Sequence, residues 1–221
     1  MRDVRRMSIA RDVALRLTAA LALCAALAGP AAADLGCGEL TPPAGLPGPY
    51  DYRNPPKQQL EFVTRFHFTP DVEALRKGAS SVNIGGDISF ALMIFPNHHR
   101  ALVAMSRLAQ KLKTPQPPGA VYPVDCYFER AMRFRPDDMM VHGILGMHLL
   151  QTGNVKDAIR ELETARAALP DDANVAYNLG LAYFDARDYG KSLENAKRAY
   201  ALGFPLPGLR DKLRRAGKWS D

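Results

Sequence analysis

The second half of the chain repeats its apolar residues at helical spacing. Ala158, Leu162 and Ala165 stand at i, i+4 and i+7, and so do Ser192, Ala196 and Ala199. Between these runs, Ala176, Leu179, Gly180 and Tyr183 trace another single-faced stripe, and Leu145, Gly146 and Leu149 trace an earlier one. The small residues in the stripes are as regular as the large ones. Gly146 and Gly180 carry no side chain and so let a partner helix approach, while Ala158, Ala165 and Ala199 do the same from the other side. Pro136 and Pro170 close two of the runs, and each is followed by an aspartate pair, Asp137-Asp138 and Asp171-Asp172, in which one carboxylate is placed to cap the next helix. The pattern predicts two helix pairs, over 137–170 and 171–204.

Sliding the sequence on itself by 34 residues lays Pro136-Asp137-Asp138-x-x-Val141 on Pro170-Asp171-Asp172-x-x-Val175. The same shift lays Leu145-Gly146 on Leu179-Gly180, Leu149 on Tyr183, Ala158 on Ser192 and Ala165 on Ala199. This period, with small residues at fixed places in two helices, resembles the tetratricopeptide repeat (TPR). Two positions depart from that family's pattern: His142 and Ala176 replace its opening tryptophan, and Phe204 stands where its final proline falls. The resemblance implies an all-α fold, a right-handed superhelix of antiparallel helix pairs, that serves protein–protein interaction.

Extended backward, the frame finds an eroded unit over 97–136. Leu102, Met105, Ser106 and Ala109 mark a first helix from about His98 to Lys113, and Val124, Phe128 and Ala131 mark a second from about Pro123 to Phe134. The stretch Thr114-Pro115-Gln116-Pro117-Pro118-Gly119 cannot be helical and lengthens the turn between them. Residues 54–96 form a degenerate pair preceded by a helix. Asn54-Pro55-Pro56 starts the helix carrying Leu60, Val63 and Phe66, Thr69 caps a short one through Leu75, and Asp87 caps another through Phe95. Residues 205–221 read as a capping helix with a cationic outer face, and 34–53, with Pro42, Pro43, Pro47 and Pro49, as an extended arm.

Charge enters with the N-terminus. Residues 1–33 run from five arginines through the apolar stretch Leu17 to Ala28 to Ala31-Ala32-Ala33, the order of a cleaved secretory signal. The apolar stretch falls short of the roughly 20 residues a bilayer span needs, so no stable membrane insertion is expected after cleavage. Of the net charge of +6, half belongs to this segment; the remaining chain, with 24 Lys+Arg against 21 Asp+Glu, gives no reason to expect a nucleic acid partner. Ala- and Arg-rich usage is that of a bacterial chain, so the periplasm is the expected destination. Removing Cys24 with the signal leaves Cys37 and Cys126 in an oxidising compartment, where a disulfide is expected, worth roughly 4 kcal/mol by loop entropy.

The first helices of the two clear repeats carry a second apolar stripe: Tyr177, Leu181 and Phe184 in one, Gly143, Met147 and Leu150 in the other. A helix apolar beyond one stripe is either buried on both sides or offers a binding surface. In the eroded unit the equivalent stripe is Arg100, Val103, Arg107, Gln110 and Lys111, three cations that suit a peptide or a tail bearing a carboxylate. These stripes predict a peptide- or protein-binding groove made of Arg100, Val103, Arg107, Lys111, Met147, Leu150, Tyr177, Leu181 and Phe184, with no cofactor and no catalytic residue.

A helix face of solvated charges, or a stripe covered by the terminal helix or the arm, are the competing readings. His67, His98, His99, His142 and His148 leave open a metal- or haem-handling protein, although adjacent His98 and His99 diverge by about 100° on a helix and cannot chelate as a pair. No C-x-x-C-H run, phosphate-cradling glycine loop or nucleophile elbow occurs. A self-associating structural subunit is the remaining alternative. Finally, Gly48-Pro49-Tyr50-Asp51-Tyr52-Arg53 with Phe95-Pro96-Asn97-His98-His99-Arg100-Ala101-Leu102 resembles a group of small exported bacterial TPR proteins of unsettled function, which implies export and no particular reaction.

Overall fold

Helices follow one another along the chain wherever the 3.6-residue period is sustained, and most stop beside a proline, a glycine or a left-handed residue such as Lys113 (φ +53°) or Arg187 (φ +61°). The computed structural model describes residues 36–42 and 45–220, and the expected signal segment lies outside them. The described residues form helices and connecting turns, without strands. In chain order the helices are α1 (Lys57–Phe66), α2 (Pro70–Glu73), α3 (Ile84–Ile94), α4 (His99–Leu112), α5 (Val124–Phe134), α6 (Met139–Gln151), α7 (Val155–Ala168), α8 (Ala173–Asp185), α9 (Tyr189–Ala201) and α10 (Gly208–Arg215). The closest packing is between neighbours in sequence, α6 on α7 and α8 on α9, while α4 also packs on α6 and α10 on α8.

The glycines explain those two close pairings. A Cβ on Gly146 would sit 2.5 Å from Leu162 Cγ, and one on Gly180 would sit 2.6 Å from Leu209 Cδ2 and 3.3 Å from Ser192 O. Ala158, Ala165, Ala196 and Ala199, all buried, complete the seams. A larger core lies toward the N-terminal side, where Ile88, Leu92, Phe95, Leu102, Met105 and Phe128 are fully buried.

Two caps and one helix end differ from the sequence reading. Thr69 caps α2 as expected, accepting from the Val72 N–H, but the helix ends at Glu73, and Leu75 turns with φ +57°. Asp87 does not begin α3. It sits in its first turn, fully buried, and its carboxylate accepts the backbone N–H groups of Ala79, Ser80 and Ser81, so it organises the preceding loop. Asp172 caps α8 through the N–H groups of Asn174 and Val175, whereas Asp138, its counterpart one period earlier, makes no cap bond to α6.

The arm is tied down. Cys37 and Cys126 are joined at disulfide distance, 89 residues apart in sequence. Beside them Arg130, 1 % exposed, donates to the carbonyl oxygens of Cys37 and Glu39 and stacks on Tyr122, 4.8 Å away. Burial pushes its pKa down, and the carbonyls and the ring take the place of a counter-ion.

Candidate functional site: a groove across three helices

The face of α4 that carries Arg100, Val103, Ala104 and Arg107 opens onto a cavity of about 470 Å³. Helix α6 supplies Met140, Gly143, Ile144 and Met147, and α8 supplies Val175 and Asn178. These are the first helices of three successive pairs, and the helical period places one stripe of each on the same side. At Gly143 a Cβ would lie 3.2 Å from Val175 Cγ2, so its absence brings α8 against α6 and closes the floor. That floor is apolar.

The rim is polar and unevenly paired. Arg100 grips Glu73 through two nitrogens, and this ion pair raises the arginine pKa further. Arg107, exposed, has no hydrogen bond or ion pair among the described residues. Its guanidinium is therefore an unpaired cation at the groove, with five donors available, and the Asp172 carboxylate, also without an ion pair among the described residues, lines the same groove. Asn174 and Asn178 add carboxamides on the far side.

Four of the nine expected groove residues come together here: Arg100, Val103, Arg107 and Met147. The other five are placed elsewhere. Lys111 donates to the Leu75 carbonyl at 3.1 Å, which turns it toward the α2 end. Leu150 packs on Leu162 and Leu179 between the repeats. Tyr177, Leu181 and Phe184 face α10, against Leu209 and Leu213; the Tyr177 hydroxyl accepts from the Leu209 N–H, and its ring stacks on Phe204 at 3.8 Å. The terminal helix thus occupies the stripe that an open groove would have used. Sequence reasoning missed Met140, Ile144, Glu73, Asn174, Asn178 and His99. A wider stripe on α6 could have shown the first two, but the rest depend on which helices meet.

At one end of the groove lies a buried polar network. His99 lines the cavity and donates through Nε2 to Asp138, 2.9 Å away and 3 % exposed. Asn97 donates to Asp138 and to Asp51, both at 2.7 Å, and accepts the Tyr52 N–H at 2.9 Å; Arg53 lies 3.8 Å from Asp138. Burial raises the Asp138 pKa, but hydrogen bonds from His99 and Asn97 and the nearby charge of Arg53 outweigh it and hold the carboxyl below its usual range. A hydrogen bond from Arg53 holds Asp51 far below its own. The reading that one carboxylate of Asp137-Asp138 caps the next helix is corrected accordingly: Asp138 holds the repeat position of Asp172, but its carboxylate is turned to Asn97, His99 and the arm's Arg53, and Asp137 bonds Arg53 and Arg135. Tyr52 stacks on His98 at 3.8 Å, so the two runs singled out in the sequence, 48–53 and 95–102, form one structure.

Every histidine is committed. His98, nearly buried, accepts the Ala101 N–H and caps α4, and desolvation pulls its pKa down to about 3. His67 donates to Asp87, stacked on Phe90, and His142 donates to Glu161 at 2.8 Å. His148 donates to Asp125 at 3.3 Å and accepts from Ser106 at 2.8 Å, a Ser–His–Asp relay in composition. Ser106 is 0 % exposed, and its bonds through His148 to Asp125 tie α4, α6 and α5 together. Among the described residues no group of three His, Cys, Asp or Glu side chains is placed to hold a metal ion, and no helix is long and apolar enough to cross a membrane.

No family model matches the chain, and no curated protein matches it.

Proposed function

We propose that this chain is an exported, TPR-like helical repeat protein that binds an extended segment of a partner protein without chemical turnover. The period of 34 residues, the departures at His142, Ala176 and Phe204 notwithstanding, supports the repeat reading, and the basic-apolar-small order of residues 1–33 supports export to the periplasm. The observation that carries the binding function is the groove of about 470 Å³, with an apolar floor from Ile144, Met147 and Val175 and the unpaired Arg107 at its rim. An apolar side chain on the floor and a carboxylate on the guanidinium are the complementary ligand features. The stripe under α10 leaves the groove narrower than the sequence implied, so the occupant is a single extended strand of chain.

The test is selection from a library of displayed C-terminal peptides, followed by anisotropy measurements on the enriched sequences as free acids and as amides. Free acids should bind about tenfold more tightly than amides, and Arg107→Glu should remove that difference. Enrichment that is no better than on Met147→Asp protein, with its melting curve unchanged, would refute the groove as a binding site.

A further inference from the structure

The positive charge of the folded chain is not spread evenly. Residues 187–221 hold nine Lys+Arg against four Asp+Glu, whereas residues 34–186 hold 15 against 17. The net basicity of the chain beyond residue 33 therefore resides in its last two helices and their flanks. How the charges are partnered separates this end from an ordinary solvated face. In the rest of the molecule Arg53, Arg76, Arg100, Arg135 and Arg160 each meet a carboxylate. At the C-terminal end, among the described residues, Arg198 and Lys212 alone do, with Asp171 and Asp185. Arg187, Lys197 and Arg215 are exposed and have no partner among the described residues.

Arg210, Arg214 and Lys218 lie over aromatic rings, as does the carboxylate-paired Lys212, and these rings meet in pairs. Arg210 lies over Tyr200, Tyr200 meets Trp219 edge-on at 6.0 Å, and Arg214 lies over Trp219. In parallel, Lys212 lies over Phe184, Phe184 meets Tyr189 at 5.4 Å, and Lys218 lies over Tyr189. The result is two cation–aromatic rows, and Leu206, 59 % exposed, stands beside the first, its carbonyl accepting the Tyr200 hydroxyl. Cations that face rings instead of carboxylates keep their full charge available to an external anion. The apolar face of α10 is spent on Leu209 and Leu213 inside the fold, so the helix cannot itself sink into a bilayer.

From this surface we infer that the C-terminal end is a peripheral docking site for a bilayer rich in anionic phospholipid. Three features select a lipid surface over a polyanionic chain. The cations are distributed over α9, α10 and the tail instead of being aligned along one helix. The aromatic rings and Leu206 suit the headgroup boundary, where amphipathic rings are favoured. The remainder of the folded chain is weakly acidic, so an anionic surface attracts one end and repels the other, which orients the protein.

The experiment is co-sedimentation of the protein, purified as the cell processes it, with phosphatidylcholine vesicles that contain or lack phosphatidylglycerol. Binding should require the anionic lipid and fall steeply as salt is raised past physiological strength. Arg214→Glu/Arg215→Glu/Lys218→Glu should lower the partition coefficient on the order of a hundredfold, since each lysine or arginine near such a surface contributes comparably. These side chains are exposed, so its unfolding curve should match that of wild type, and Arg107→Glu should bind vesicles normally. Equal binding to neutral and anionic vesicles would overturn the inference. So would an unaffected triple variant, or tighter, equally charge-dependent binding to duplex DNA or polyglutamate in place of vesicles.

Discussion

Replacing Gly146 with alanine tests the close approach of α6 to α7. In an exposed helix interior this change would stabilise by about 0.8–1 kcal/mol, because alanine loses less backbone entropy. Here the new methyl would lie 2.5 Å from Leu162 Cγ, 3.1 Å from Cδ2 and 3.2 Å from the Ala158 carbonyl oxygen. Leu162 is fully buried, and the nearest contact is its branch carbon, which cannot swing aside as a chain end could. Overpacking of this kind costs about 1–3 kcal/mol, and the upper part of that range applies. The net expectation is a loss of about 1–2 kcal/mol, a fall in Tm of roughly 3–6 °C for a domain of this size. Gly190→Ala is the control, since its Cβ would meet nothing nearer than Asp188 Oδ1 at 3.7 Å, and it should be neutral or stabilising. Urea unfolding followed by far-UV circular dichroism reads all variants. Leu162→Ala should cost far less in the Gly146→Ala background than alone, giving a coupling of about 1 kcal/mol or more. If Gly146→Ala proves as stable as Gly190→Ala, the steric account of this glycine is wrong.

Reducing the Cys37–Cys126 bond should lower stability by between about 4 and 5 kcal/mol, from the entropy of a loop spanning 89 residues, measured by urea unfolding with and without dithiothreitol. His98 stays neutral in the fold down to about pH 3, whereas the unfolded chain takes up its proton near pH 6.5. Stability should therefore decline as pH falls from 6.5 toward 3, by about 1.4 kcal/mol per pH unit from this group, and His98→Asn, which preserves a capping side chain, should flatten the slope in pH-dependent unfolding. Tyr177→Ala with Phe184→Ala should lower the melting temperature sharply, because both rings pack on α10; an unchanged melt would mean that they form a free surface after all. Asp138→Ala should leave Asn97 and His99 without their acceptor and cost about 2 kcal/mol or more, while Asp172→Ala should cost about 1 kcal/mol as the loss of an ordinary cap, both by urea unfolding.

The contrast between Asp138 and Asp172 marks where sequence reasoning stops. Both follow a proline and an aspartate, both precede a helix, and the shift of 34 residues makes them equivalent. One caps α8, while the other is claimed by Asn97 and His99, 41 and 39 residues away, and is backed by the arm through Arg53. Asp87 teaches the same point: its place before an apolar run reads as a helix start, but the loop behind it supplies three N–H groups that a buried carboxylate satisfies better. The groove divides likewise. Arg100, Val103 and Arg107 were legible as one stripe of α4 and Met147 as part of a stripe of α6, whereas Asn174, Asn178 and His99 entered only when α4, α6 and α8 were set side by side.

The sequence by itself determined the helices, their order and the small residues at which they meet. Those properties depend on neighbours three and four positions apart and on prolines and caps at the ends, so they are written locally. It also left two cysteines to pair. Tertiary structure alone decided which stripe stays open and which is covered by α10, whether a given aspartate caps a helix or anchors the arm, and which cations keep a free charge. A helix offers several faces, and the energy of each depends on chain brought from tens of residues away, at a distance that no periodicity encodes.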